Sequence, residues 1–399
     1  MSFKTLRDID VKGHRVFLRA DLNVPIKDGV IADTTRIRET LPTLNYLLKG
    51  GASVVLCSHL GRPKGVGFEA EFSLAPVAEW LKAQGLDLRL ASGVAGEKVE
   101  AEAAALQPGQ ILLLENLRFE KGETKNDPAF AKALARLADT YVNDAFGSAH
   151  RAHASVSGMV PDFPAGRAVA GFLMEKELTA LGKIMHDPER PLIAVMGGSK
   201  VSDKIGIIRQ FFGKADTILV GGAMSFNFLK AMGIGIGKSR CEEDKLDLAL
   251  ALLSEAKAAG TRLLLPLDHV VASEFSADAE CDITQDQAVP EGKMGLDIGP
   301  ETVAIYTEEI RKARTILWNG PMGVFEMEPF ASGTLTLAEE MADAADRGAY
   351  VLVGGGDSVT AAAKAGVTKR MSHISTGGGA SLEFLSGMEL PGVAALQTK

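Results

Sequence analysis

The chain has 399 residues, 46% of them hydrophobic and 24% charged, with a formal net charge of −8. At roughly 100–200 residues per domain this length favours two domains, and such a chain buries enough core to need no disulfide or structural metal. The acidic balance weighs against nucleic acid as the main partner. The scattered cysteines Cys57, Cys241 and Cys281 argue against a disulfide framework or Cys-type zinc site and suit a reducing cytosol, and neither a signal peptide nor an apolar run of ~20 residues is visible.

Short apolar runs alternate with helical patterns. The first half carries strand-like runs at 15–21 (RVFLRAD), 53–58 (SVVLCS), 111–116 (ILLLEN) and 140–146 (TYVNDAF). Ile37, Leu41, Leu44 and Leu48, spaced four, three and four apart, form one helix face. Helical patterns recur at Pro76–Lys82 and Ala129–Ala138, with an Ala-rich helix surface at 101–105. The segment FLMEKELTALGKIMHDPERP reads as a connecting helix stopped by Asp187-Pro188 and Arg190-Pro191. The second half carries strand-like runs at 191–198, 216–222, 262–268, 315–320 and 349–356, with a helix at Leu246–Ala259. Continuous apolar runs suit strands buried on both faces, and strands alternating with helices imply parallel α/β sheets.

In open parallel sheets, ligands bind beyond the carboxyl ends of the strands. In the first half those ends lead into Asp21 and Asn23, into His59-Leu60-Gly61-Arg62, into Arg118, and into His150-Arg151, while Arg36 opens the helix after the first strand. Four guanidiniums on one rim require a compensating anion, and their planar forks match phosphate and carboxylate oxygens. The substrate expected there is small and highly anionic. His150 and His153 lack the carboxylate or thiolate companions of a metal pair, and His153 is read as packing locally.

In the second half the strands end in glycines that open helices: Gly197-Gly198-Ser199-Lys200, Gly221-Gly222 and Gly354-Gly355-Gly356-Asp357-Ser358, with Thr376-Gly377-Gly378-Gly379 beyond. Glycine admits close approach of backbone N–H groups to oxygens, and helix N-termini favour anions, so nucleotide phosphates are the natural ligand. GIGIGKS (233–239) lacks the first glycine of a P-loop, no G-x-G-x-x-G follows a strand, and no H-R-D or D-F-G set occurs. One half is therefore read as holding a small polyanion and the other a nucleotide, so reaction requires domain closure.

RADLNVP (19–25), SHLGRP (58–63), ENLRF (115–119), NDAFGSAHRAHAS (143–155), GGSKVSDKI (197–205), WNGPMGVFE (318–326), GGGDSV (354–359) and STGGGASLEFLSG (375–387) resemble the phosphoglycerate kinase family, in order and over essentially the whole chain. The resemblance implies an α/β protein of two similar-sized Rossmann-like domains, each a mostly parallel sheet flanked by helices. The expected division is 1–170 for phosphoglycerate, 171–190 as hinge helix and linker, 191–380 for nucleotide, and 381–399 packing back toward the first domain. It implies reversible transfer of the acyl phosphate of 1,3-bisphosphoglycerate to ADP, giving 3-phosphoglycerate and ATP, with Mg²⁺. By that resemblance Asp21, Asn23, Arg36, His59, Leu60, Gly61, Arg62, Arg118 and Arg151 bind phosphoglycerate. Lys204, Gly222, Gly295, Asn319, Glu326, Gly355, Gly356, Asp357 and Ser358 bind nucleotide, and Asp357 holds the metal. Arg36, Lys200 and Gly378 are the expected catalytic positions. A cytoplasmic monomer acting on small molecules, with no nucleic acid or membrane partner, is expected.

Overall fold

A computed structural model describes residues 3–397. The chain divides into two compact units, one running to Thr179 and resuming at Glu389, the other Ala180–Met388. The division falls inside the helix Phe172–His186. The segment 381–388 therefore groups with the second unit, and the returning segment begins at Glu389.

The first unit is built on strands β1 (Arg15–Ala20), β2 (Ser53–Cys57), β3 (Leu88–Leu90), β4 (Ile111–Leu113), β5 (Thr140–Asp144) and β6 (Ala168–Ala170). They form one sheet in the order β3-β4-β2-β1-β5-β6, every pairing parallel. Phe17 lies in register with Val55 on one side and Tyr141 on the other. The central strands are buried almost throughout, which is why they read as unbroken apolar runs. The helix Thr35–Lys49 turns Ile37, Leu44 and Leu47 into the core, with Leu41 and Leu48 at its margin. Strand β4 stops three residues short of the predicted run. Glu115 instead accepts from Ser73 Oγ (2.7 Å) and Leu74 N (3.2 Å), and Asn116 Oδ1 from Leu60 N (3.1 Å), so the chain turns to serve side-chain bonds.

The returning segment closes this unit. Leu390, Val393 and Leu396 are buried, and Gly392 N donates to the Ala149 carbonyl at 2.8 Å.

In the second unit β7 (Leu192–Met196), β8 (Thr217–Val220) and β9 (Arg262–Leu264) precede a small antiparallel sheet of β10 (His269–Ala272), β11 (Cys281–Ile283) and β12 (Met294–Ile298). Strands β13 (Thr315–Asn319), β14 (Tyr350–Val353) and β15 (His373–Ile374) complete the main sheet, ordered β9-β8-β7-β13-β14-β15 and wholly parallel. Trp318 anchors its core with Tyr306, Phe325 and Met341. In both sheets the chain order reverses beside the first strand, at β2/β1/β5 and at β8/β7/β13, which opens a crevice beyond those carboxyl ends. No helix among the described residues is long and apolar enough to cross a membrane.

Candidate functional site

The crevice of the first unit begins with an exception to the apolar rule. Arg19 lies within the buried run of β1 with no solvent exposure. A buried guanidinium needs its donors satisfied. Nε donates to Ser155 Oγ at 2.9 Å, Nη1 to the Ala20 carbonyl, and Nη2 to His59 Nδ1 at 3.2 Å. Because a guanidinium only donates, His59 Nδ1 must accept, and the ring proton sits on Nε2. Burial, followed by the positive fields of Arg19, Arg118, Arg36 and Arg151, holds His59 well below its ordinary range. At neutral pH His59 is therefore an uncharged N–H donor.

Around it stand the strand-end residues. Asp21 is 5% exposed, and its two oxygens accept from Arg36 Nη1 at 3.1 and 3.0 Å. Asn23 Oδ1 accepts from Gly61 N at 2.8 Å, and Arg118 Nη1 donates to the Gly61 carbonyl at 2.6 Å. Leu60 is held through both backbone groups by the Asn116 amide, at 3.1 and 2.6 Å. Gly61 has φ +60, and a Cβ there would stand 2.6 Å from the Phe72 ring, so only glycine fits this turn. Arg62 and Arg151 are exposed, and Arg151 Nε donates to His150 Nε2 at 3.1 Å. Arg118 is pushed down to about 10, by burial first and then by repulsion from Arg151 and Arg19, with Arg62 acting in the same sense. Its Nε is buried without a partner among the described residues. His153, held down to about 4 by burial, is neutral, so its 3.7 Å approach to Glu123 is not an ion pair at neutral pH.

The structure thus brings Arg36, Arg62, Arg118 and Arg151 together and adds Arg19, which the strand-end rule does not reach because it lies inside the buried run of β1, one residue before the strand ends. Asp21 and the buried Glu123 bring negative charge into this cluster. The remaining positive charge, a neutral donor and an orphaned guanidinium N–H suit a small polyanion.

In the second unit the glycine loops stack on one another. Gly222 has φ +66, and a Cβ would come within 2.6 Å of Gly198 N and O. Behind these loops, Asn319 is buried, donates Nδ2 to the Gly354 carbonyl at 2.8 Å, and accepts from Lys204 Nζ. Gly320 N donates to Ser358 Oγ at 2.6 Å. Burial holds Lys204 below its ordinary range, with Asp203 and Asp357 acting oppositely. A cavity of about 600 Å³ opens beside the loops, lined among others by Gly198, Gly222, Gly295, Glu326 and Asp357. Gly295 N is tied to Ser239 Oγ at 2.9 Å.

Gly355 precedes the helix Gly356–Lys364, which carries Asp357 in its first turn, and Gly378, at φ +53, precedes Gly379–Leu385. Lys200 is exposed in the loop after β7, and neither it nor Gly378 lines the cavity. The cavity wall also includes Phe275, His269 and Asp297, which sequence reasoning missed because they come from the small antiparallel sheet and its loop rather than from the ends of parallel strands. Among the described residues no group of three His, Cys, Asp or Glu could hold a metal. A Mg²⁺ ion fits Asp357 only in the manner common for this ion, one carboxylate shared with nucleotide phosphates.

Comparison with known proteins places the chain in a family. The family model for phosphoglycerate kinase matches residues 6–388. The chain is 53% identical over 401 residues to a phosphoglycerate kinase of Chloroflexus aurantiacus, covering 100% of this chain and 99% of that one. It is 54% identical to the cytosolic phosphoglycerate kinase of Triticum aestivum, covering 99% and 98%. The solved phosphoglycerate kinase of Coxiella burnetii superposes with a TM-score of 0.91 at 43% identity, covering 99% of each chain. That of Pyrococcus horikoshii gives 0.77 at 33%, covering 99% and 98%.

Proposed function

Because this chain belongs to the phosphoglycerate kinase family, we propose that its guanidinium crevice binds phosphoglycerate and that the glycine-walled cavity of its second unit binds ADP or ATP. The protein is a phosphotransferase of glycolysis: it moves the acyl phosphate of 1,3-bisphosphoglycerate to ADP, and the reverse. The observation that carries the site reading is the cluster of Arg19, Arg36, Arg62, Arg118 and Arg151 around a neutral His59. Such a cluster calls for an anion of high charge density.

The reaction breaks the bond between the acyl oxygen and phosphorus and forms one between phosphorus and a terminal oxygen of ADP. The attacking ADP oxygen is already ionised, and the leaving oxygen takes the electron pair of the broken bond and departs as a carboxylate, so no side chain has to take or give a proton. What the protein supplies is alignment and charge stabilisation. Asp21 accepts twice from Arg36 Nη1 and so orients that guanidinium toward the transferring group. Lys200 brings a second cation from the other unit, and the backbone around Gly378 offers N–H donors. Asp357 would hold Mg²⁺ with the nucleotide phosphates, which neutralises charge there. With the two half-sites on separate units, turnover requires them to meet, and 171–190 is the hinge. We read the enzyme as a cytoplasmic monomer that uses small molecules alone.

The test is ATP formation by the purified chain from 1,3-bisphosphoglycerate, ADP and Mg²⁺. Folded protein that forms no ATP under these conditions overturns the activity. Arg118→Ala and Arg62→Ala should weaken 3-phosphoglycerate binding and leave ATP binding within twofold. Equal losses for both ligands would refute the division of sites.

A further inference from the structure

Behind the guanidinium crevice lies a buried acid that the reaction does not use. Glu123, in the short helix Lys121–Thr124, has no solvent exposure. Both its oxygens engage one residue: Oε2 accepts from Ser155 N at 3.0 Å and Oε1 from Ser155 Oγ at 2.6 Å. A serine hydroxyl has one proton. With that proton given to Glu123, Ser155 Oγ presents lone pairs to Arg19 Nε, 2.9 Å away. Arg19, fixed at Nε, sets Nη2 against His59 Nδ1 at 3.2 Å. Arg19 can only donate, so Glu123 and Ser155 fix where the guanidinium sits, the guanidinium makes His59 Nδ1 the acceptor, and the ring proton stays on Nε2, the nitrogen that Arg19 does not engage.

We propose that Glu123 is a positioning residue for phosphoglycerate binding, acting through Ser155 and Arg19 to hold His59 as an Nε2–H donor. This rests on reading the first unit as the phosphoglycerate site. The competing role, a counter-charge for Arg19 and nothing more, predicts the opposite sign, since deleting a negative charge near an anion site should tighten anion binding.

Glu123→Gln separates the two. If the amide oxygen takes the Ser155 N–H, its NH₂ faces Ser155 Oγ and reverses that bond. If the amide flips, two donors oppose each other. For coupled residues in one network, the 3-phosphoglycerate dissociation constant should rise about tenfold, while ATP affinity stays within twofold. The ¹⁵N spectrum of His59 should change from one Nε2–H tautomer to a mixture. Ser155→Ala keeps the Glu123 charge but cuts the link, and should do the same; it decides the matter if Glu123→Gln does not fold. Wild-type or tighter 3-phosphoglycerate affinity in the folded variants, with Arg118→Ala still weakening it, overturns the positioning role. If Arg118→Ala is also without effect, the site reading itself fails.

Discussion

On the proposed reading Arg36 links the stability of the first unit to catalysis, so replacing it measures both. In Arg36→Ala, Asp21 loses a partner that reaches both its oxygens, at 3.1 and 3.0 Å. The Arg36 side chain is 39% exposed and that of Asp21 7%. Solvent screens such a pair, and its loss should lower stability by about 1 kcal/mol, well short of the ~3–5 kcal/mol for breaking a fully buried pair. The effect on chemistry should be larger. A preorganised donor aimed at oxygens that gain charge in the transition state contributes about 2.7–4 kcal/mol, or roughly 10²–10³ in turnover. Arg36→Lys returns the charge without the planar fork and should recover only part of that. Coupled assays at saturating substrates, with both KM values, and thermal unfolding of each variant supply the numbers. The expectation is a large fall in kcat, a nucleotide KM within twofold of wild type and a small fall in Tm. Turnover above a tenth of wild type in Arg36→Ala would refute the assignment, as would a loss confined to KM.

Gly222→Ala combines φ +66 with a Cβ 2.6 Å from Gly198 N and O, neither of which can yield as a side chain would. It should weaken ATP binding at least tenfold by calorimetry and leave 3-phosphoglycerate binding unchanged; intact ATP affinity would count against the glycine wall as part of the nucleotide site. Burial pushes the Asp297 carboxyl up to about 7, opposed by bonds from Gly333 N and Ile298 N, so the folded state retains a proton that the unfolded chain releases near 3.8. Its contribution is therefore fully present in acid and is lost as pH rises from about 4 to about 7, by about 4 kcal/mol at 1.36 kcal/mol per unit. Urea unfolding from pH 4 to 8, followed by the buried Trp318 in a Trp80→Phe background, should show that decline, and Asp297→Asn should flatten it; identical slopes would refute it. Gly392→Val would put a Cβ 2.7 Å from Val156 Cγ1 and 3.0 Å from Ala149 Cα, so it should destabilise the first unit by about 1–3 kcal/mol and speed hydrogen exchange at residues 390–396. Unchanged exchange there would show that the segment does not depend on this contact.

What could be read in the sequence follows from how strongly burial marks it. Strands β1, β2, β5, β7, β13 and β14 are covered on both faces, and each stands out as an apolar run. Edge strands β3, β6 and β15 have only two or three residues, and β11 is exposed at all three positions, so none leaves a pattern to detect. The crevice residues were legible because topology puts them at the ends of parallel strands, where chain position alone implies proximity. Arg19, Glu123 and Ser155 obey no such rule. Arg19 meets Ser155 across 136 positions, and Glu123 meets Ser155 across 32, through side chains rather than strand ends. The sequence could say that guanidiniums gather at one rim. It could not say which of them faces the ligand and which holds the others in place, because that depends on the direction of each hydrogen bond. Arg19 is the clearest case: it lies inside the run RVFLRAD rather than beyond it, and each of its three guanidinium nitrogens is engaged, by Ser155, Ala20 and His59. A substitution there should therefore alter phosphoglycerate binding by releasing His59, even though Arg19 has no surface to offer the substrate.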